Sequence, residues 1–266
     1  MEKTTEKLNI ENLIQNPEPP LVSVQICTYN RADFLPKALD SVLSQNYPNL
    51  EIIILDDAST DDTEKIISEY ASKNSNIKYY RNEENLGITA TRNKILSLTN
   101  GRYLAVLDSD DYWIDSNKIS AQVNFLEENP EYALVGTFCN LVDKNGRTIK
   151  KIERQTDDSK IRQKILCQNQ FMHSSVLYKK NSFNEYSNNY PTGQVEDYAT
   201  WLELGKKYKF ANLPIFTTNI TEHSGNISKT KQNQNINELS KIITDYKKVY
   251  PRFYLAKLKN FFRKFI

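Results

Sequence analysis

The sequence predicts an α/β chain built on a mostly parallel sheet, and three observations predict it. Short, strongly apolar runs alternate with segments whose apolar residues recur at helical spacing, in the order β-α-β-α-β-α-β. The connections between them are short, as right-handed crossovers between neighbouring parallel strands require. Three of the apolar runs end in polar or acidic residues, at the strand ends where open parallel sheets bind ligands.

The first strand runs from Leu21 to Cys27, set off from a polar leader over residues 1–20 by Pro17-Glu18-Pro19-Pro20. A helix follows with Phe34, Leu35, Ala38, Leu39, Val42 and Leu43 on one face. Asp33 is placed to cap it, and Pro36 falls in the first turn, where a missing N–H is tolerated. Asn46-Tyr47-Pro48-Asn49 ends that helix. Glu51-Ile52-Ile53-Ile54-Leu55 is continuous and β-branched, as a strand buried on both faces is. Asp56-Asp57-Ala58-Ser59-Thr60 closes it and caps a helix whose inner face carries Ile66, Ile67 and Tyr70. A short strand at Ile77 to Tyr80, a loop through Asn85-Leu86-Gly87, a helix over Thr89 to Leu98 and a strand at Tyr103 to Leu107 complete the pattern.

Beyond Asp111 the pattern loosens. The expectation there is a helix over Asn117 to Glu128, strand-like pieces at Ala133 to Phe138 and Phe171 to Tyr178, and a turn at Asn145-Gly146. A helix over Val195 to Leu204, stopped by Gly205, and a C-terminal segment with Tyr250, Tyr254, Leu258, Phe261, Phe262 and Ile266 at helical spacing follow.

At 266 residues the chain suits one large α/β domain or two small ones. Its 7 glycines include no glycine-rich phosphate loop, so phosphate would have to be handled by a metal, side chains or helix ends. Cys27, Cys139 and Cys167 are odd in number and scattered, which argues for reduced thiols and against a disulfide framework or zinc site. The leader lacks the apolar core of a signal peptide, and no run approaches the roughly 18 apolar residues of a membrane span. The expected setting is cytoplasmic.

The net charge of +2 hides an asymmetry: residues 241–266 carry eight Lys/Arg against Asp245, or +7, leaving 2 − 7 = −5 on the rest. An acidic body with a basic tail is not the footprint of a nucleic-acid binder. The basic, aromatic tail over 231–266 reads as a helix packed on the body, a homodimer contact, or a peripheral contact with the inner face of the cytoplasmic membrane.

The strongest chemical signal is Leu107-Asp108-Ser109-Asp110-Asp111, which puts three carboxylates within four residues at a strand end. Like charges so close need a cation or hydrogen-bond donors, and oxygen ligands suit Mg²⁺ or Mn²⁺ bridged to a substrate's phosphates. The plain alternative is an acidic turn capping a helix near Ser116. Two other strand ends, Cys27-Thr28-Tyr29-Asn30-Arg31 and Asp56-Asp57, belong to the same sheet edge. Together the three loops offer an aromatic face, a carboxylate and a metal site, enough for a nucleotide diphosphate.

These residues also carry a resemblance. Val22-Ser23-Val24 through Thr28-Tyr29-Asn30-Arg31, then Leu43-Ser44-Gln45, Ile54-Leu55-Asp56-Asp57-Ala58-Ser59 and Asp61, resembles the inverting family 2 glycosyltransferases. Asn85-Leu86-Gly87, Arg92-Asn93 and Gly101-Arg102-Tyr103 leading into Asp108-Ser109-Asp110-Asp111 extend the match over most of residues 21–115. It resumes at Val195-Glu196-Asp197-Tyr198 with Trp201, and at His223-Ser224.

The resemblance implies a GT-A fold: a Rossmann-like, mostly parallel sheet flanked by helices, with a nucleotide-sugar-binding half over 21–115 and an acceptor-side half over 116–230. It implies that Thr28, Tyr29, Asn30, Arg31, Asp57, Arg92, Asp108 and Ser109 bind the nucleotide, Asp57 at the base and Asp108 at the ribose. Asp110, with His223, would hold Mn²⁺ or Mg²⁺ on the diphosphate. Asp197 would be the general base, with Glu196 and Trp201 on the acceptor side. The implied partners are a nucleotide-sugar donor, UDP-linked in preference to GDP- or dTDP-linked, and a glycan or lipid-linked acceptor of a bacterial surface polysaccharide. Cys27 departs from the family's usual Pro or Thr.

Each role has a plain counterpart. Asp57 and Asp197 sit where helix caps and helix dipoles favour acids, Arg92 suits a surface ion pair, and Trp201 either stacks on a sugar or packs. His173, on the expected Phe171–Tyr178 strand, reads as structural or as an acceptor-side residue. Rival classes are a nucleotidyltransferase, which usually needs a glycine-rich basic loop absent here, a phospho-acceptor signalling domain, about half this length, and a non-catalytic sugar-binding relative.

Overall fold

The computed structural model describes residues 18–186, 190–191, 193, 195–223 and 232–263. Residues 1–17 of the leader, Ser224 through Ser228 of the segment matched after His223, and the last tail residues 264–266 lie outside the described residues.

The predicted alternation is present. β1 (Val22–Thr28), α1 (Leu35–Leu43), β2 (Leu50–Asp56), α2 (Thr63–Lys73), β3 (Ile77–Arg81), α3 (Ile88–Leu98) and β4 (Tyr103–Val106) follow in order. Strands β3, β2, β1 and β4 lie side by side and parallel, with Val22 opposite both Leu50 and Tyr103. Period-two alternation splits their side chains between two helical layers. Val22, Val24, Ile26, Ile52, Ile54, Tyr103 and Ala105 pack with α1, whose Leu35, Ala38, Leu39 and Val42 are buried. Ile53 and Leu55 face Ile95 of α3 on the other side, and Leu104 and Val106 join a second core. Burial on both faces explains why these strands read as unbroken apolar runs.

One polar network crosses this sheet at its amino edge. Glu51 accepts from Ser23, Lys78 and Asn100. Burial works against its charge, but these donors hold the carboxyl at about 2. Gly101 is required beside it, because a Cβ there would stand 2.5 Å from the Ser23 nitrogen.

After β4 the chain reverses the sheet's direction. It forms β5 (Tyr112–Trp113), α4 (Lys118–Glu128), β6 (Tyr132–Val142), β7 (Thr148–Ile152), α5 (Asp158–Ile165), β8 (Leu177–Lys179), α6 (Lys180–Tyr186), α7 (Glu196–Leu204) and β9 (Lys209–Thr221). Two C-terminal helices follow, α8 (Gln232–Asp245) and α9 (Phe253–Phe262). The strand order is β3-β2-β1-β4-β8-β6-β9-β5, with β7 paired to β6.

Here the sequence reading needs correction. β5, β7, α5, α6 and β9 have no counterpart in that reading. β9 was hidden by Pro214, which breaks the alternation and donates no hydrogen bond. The β6–β9 register jumps there, from Thr137 opposite Leu213 to Phe138 opposite Phe216. The expected strand Phe171–Tyr178 is instead a 3-10 turn at His173–Ser175 followed by the short β8. Asp33 does not cap α1, whose N-cap is Phe34 without a side-chain bond. The Asp56–Thr60 run does not cap α2 either; α2 starts after Asp62, and the acids bond the loop instead.

Lys118 is fully buried on α4, its Nζ donating to Gln122 at 2.7 Å and lying 4.3 Å from the Trp113 ring centre. Burial pulls its pKa down to about 7, against about 10.4 in the unfolded chain. Between those values the unfolded state binds the extra proton, so stability rises with pH from about 7 towards 10. Lys118→Met is expected to flatten this rise, with little net change near neutral pH because the loss of a buried amine is offset by leaving Gln122 Oε1 without its donor. Urea melts of both proteins at two or three pH values test this; parallel pH profiles would overturn it.

Candidate active site

Because β1, β2 and β4 are parallel, their carboxyl ends meet at one edge, where the chain winds from β1 in both directions. A cleft of about 720 Å³ opens there, within the usual range for small-molecule sites. It is lined by Thr28, Tyr29, Arg31, Asp57, Arg92, Asp108, Ser109, Asp110, Glu196 and Asp197, residues up to 169 positions apart in the chain.

The β1 end supplies Thr28, whose buried Oγ1 has no hydrogen-bond partner among the described residues, and Tyr29, which is 43% exposed. Asn30 behaves differently from expectation. Its φ is 50°, its N–H donates to Ser59 Oγ and its Oδ1 accepts from the Thr60 N–H at 2.8 Å, so it braces the β1 loop to the β2 loop and does not line the cleft. Cys27 beside it is a neutral thiol, pushed up to about 12 by burial and by Asp108 and Asp57.

The β2 end separates its two acids. Asp56 is wholly buried and accepts from the N–H and hydroxyl of Ser59. Ala58 then takes a left-handed φ of 64°, a conformation rare for residues with a Cβ, and one that the fold must enforce. Asp57 accepts from Asn82 Nδ2 at 2.8 Å and from the N–H groups of Leu86 and Gly87, each at 2.9 Å. That leaves one of a carboxylate's four lone-pair directions open towards the cleft.

The β4 end divides its three acids among three tasks. Asp108 accepts from Arg92 at 2.8 Å and meets His173 Nδ1 at 3.0 Å. Burial opposes its charge, but His173 and Arg92 outweigh that and hold it well below the usual carboxylate range. Asp111 is buried, accepts from Ser174 and from the Thr221 N–H, and shapes the turn; burial, Asp110 and Asp108 raise its carboxyl well above normal. Asp110 points the other way, with Oδ2 2.9 Å from His223 Nε2 and 3.6 Å from Arg31 Nε.

Asp110 and His223 fit a divalent ion. Adjacent ligands of an octahedral Mg²⁺ or Mn²⁺ stand about 3 Å apart, the spacing these two atoms already have. His223 is held for this by stacking on Phe34, with ring centres 4.7 Å apart. Among the described residues no group of three or more His, Cys, Asp and Glu is placed to hold a metal ion, so the protein would offer an ion only these two ligands. An ion here would therefore keep positions for phosphate oxygens and water.

On the acceptor side, Asp197 lies in the first turn of α7 and lines the cleft, with Asn169 Nδ2 3.3 Å from its Oδ2. Two expectations fail here. Glu196 is 3% exposed and closed in an ion pair with Arg92, so it anchors that guanidinium and is not free to meet an acceptor. Trp201 is wholly buried against Phe171 and Tyr178, because its position on α7 faces the second core; it cannot stack on a sugar. Arg92 thereby bridges Asp108 and Glu196 from within.

The structure adds cleft residues that sequence reasoning did not select: His173, Asn169, Arg154 and Arg263. Only His173 gave any signal, as one of two histidines. Asn169 and Arg154 come from segments without periodicity or motif, Arg263 from the periodic basic tail, and only folding brings them together.

Comparison with known proteins agrees with this geometry. Residues 23–187 match the family described as Glycosyl transferase family 2. The chain is 34% identical over 225 residues to Escherichia coli WfaP, named a UDP-Glc:alpha-D-GlcNAc-diphosphoundecaprenol beta-1,3-glucosyltransferase, covering 79% of this chain and 81% of that one. It is 35% identical over 201 residues to the putative teichuronic acid biosynthesis glycosyltransferase TuaG of Bacillus subtilis, covering 71% and 73%. The fold matches S. aureus TarS 1–349 in complex with UDP-GlcNAc, with a TM-score of 0.68 at 19% identity, over 92% of this chain and 72% of that one. It also matches the mannosyltransferase PcManGT of Pyrobaculum calidifontis in complex with GDP-Man and Mn2+, with a TM-score of 0.66 at 18% identity, over 92% and 70%. With relatives in bacterial polysaccharide synthesis, a GT-A sheet and the polar cleft at its switch point, the chain belongs to glycosyltransferase family 2 and is a glycosyltransferase.

Proposed function

We propose that the protein moves a sugar from a UDP-sugar to a hydroxyl of a glycan or lipid-linked acceptor, with inversion and with Mn²⁺ or Mg²⁺ bound. The observation that carries this reading is the convergence, in one cleft, of Asp57 at the β2 end, Asp110 at the β4 end, and Asp197 on α7, with His223 after β9 bonded to Asp110. The UDP-glucose donor and diphosphoundecaprenol-linked acceptor in the WfaP name support the same substrate classes.

In this reading Tyr29 stacks on the base, Thr28 lines its pocket and Asp57 accepts its N–H. Asp108, fixed by Arg92 and His173, accepts from the ribose, and Ser109 lies beside it. Asp110 and His223 would hold a divalent ion, which would supply positive charge to offset that of the departing diphosphate. Asp197 takes the proton of the acceptor hydroxyl as that oxygen bonds to the anomeric carbon. The bond to the diphosphate breaks on the opposite face, so the configuration inverts. Residues 21–115 would form the donor half and 116–230 the acceptor half of one domain. No helix among the described residues is long and apolar enough to cross a membrane; we place the enzyme in the cytoplasm, at the inner membrane face.

A panel of UDP-, GDP- and dTDP-sugars, scored by thermal stabilisation and donor hydrolysis, tests the proposal. UDP-sugars at about 100 times their dissociation constant are expected to add about 2.7 kcal/mol, or roughly 5–10 °C in Tm, only when Mn²⁺ or Mg²⁺ is present. Equal stabilisation after chelation, or none by any UDP-sugar, would overturn it.

A further inference from the structure

Two cleft arginines have no task in the reaction above. Arg154 follows β7 and Arg263 ends α9, yet the segment 167–169 gathers both beside Asp197. Arg154 Nε donates to the Asn169 carbonyl at 3.2 Å, Arg263 Nη2 to the Cys167 carbonyl at 3.4 Å, and the Asn169 side chain meets Asp197. Arg154 bonds main-chain carbonyls, of Asn169 and Glu153, and pairs with no carboxylate among the described residues. Burial lowers its pKa from the usual guanidinium value. A half-buried guanidinium on a cleft wall, lacking a carboxylate partner, matches an incoming anion, and phosphate oxygens fit its fork.

The helix carrying Arg263 adds a second feature. Its inner face, Ala256 and Asn260, packs on the body, while Tyr254 (86% exposed), Leu258 (53%), Phe261 (53%) and Phe262 (54%) face outwards. Residues 246–263 hold six Lys/Arg and no acid. An aromatic, cationic face that runs into an arginine of the cleft is complementary to an amphiphile with an anionic head.

We propose that Arg154 and Arg263 clamp the diphosphate of a lipid-linked acceptor, and that its lipid chain lies along the outer face of α9. The proposal rests on the reading of Asp197 as the acceptor side. It accounts for the charge of the tail and for the placement of both arginines with one occupant.

Calorimetric titration of geranyl diphosphate into protein first saturated with UDP and Mn²⁺ tests it, with pyrophosphate and geraniol as controls. UDP binding is read separately, so its absence would count against the donor reading, and the titration then runs on the apo protein. Geranyl diphosphate is expected to bind more tightly than either control. Arg154→Gln and Arg263→Gln should each weaken it about tenfold, and a Leu258→Asn/Phe261→Ser variant should weaken geranyl diphosphate but not pyrophosphate. A normal melting temperature for each variant shows that it is folded. Variants that bind like the wild type, or competition by UDP that abolishes geranyl diphosphate binding, would overturn the clamp. Loss in the arginine variants with no loss in the helix variant would remove the lipid track from the proposal.

Discussion

Asp197→Asn is expected to lower transfer by about two to four orders of magnitude, the contribution typical of a positioned general base. The amide keeps the shape of the carboxylate and can still bond Asn169, but it cannot take a proton. The loss should fall on kcat, with UDP-induced stabilisation unchanged, because Asp197 sits on α7 while the nucleotide loops follow β1, β2 and β4. Steady-state kinetics and thermal shifts on one preparation separate the two readouts. Turnover within a few-fold of the wild type would remove Asp197 from the base role and leave its acid as a helix-start preference.

Asp110→Ala is expected to act on the other side of the reaction. Removing the carboxylate leaves His223 alone as protein ligand and frees Arg31 from its 3.6 Å ion pair. Loss of a direct ligand should weaken Mn²⁺-dependent UDP binding by about 100-fold or more, since outer-shell partners alone are worth 10–100-fold. Transfer should fall with it, as the developing diphosphate charge loses several kcal/mol of stabilisation. His223→Ala should give the same phenotype at smaller amplitude. A Mn²⁺-dependent rise in Tm that survives in Asp110→Ala would sink the assignment. Only this variant, and not Asp197→Asn, should abolish the metal dependence of UDP binding.

The donor half was legible because its physics is local. A strand buried on both faces must be apolar throughout, and a strand that stops at a ligand must end in polar groups. Ile52 to Leu55 and Tyr103 to Val106 obey the first rule, and Asp57 and Asp110 the second. Asn30 has a type and place that suit ligand binding, while its Oδ1 holds Thr60 and it lies outside the cleft lining. The acceptor half resisted for the opposite reason. Its strands are short or broken by Pro214, and its helices meet distant partners, as α7 does where the Leu202 carbonyl accepts from the Tyr250 hydroxyl.

Sequence alone determined the fold class, the family and the acidic edge of the cleft, since each is written in periodicity or in residues a few positions apart. Only the tertiary structure decided which acids are free to act. Asp108, Asp110 and Asp111 are neighbours in sequence, yet one is held by Arg92 and His173, one faces His223, and one is locked to Ser174 and Thr221. Glu196 and Asp197 are adjacent, yet Arg92 closes the first and Asn169 steadies the second. Successive residues on a turn or helix point in different directions, and the partners that hold each one arrive from up to 113 positions away.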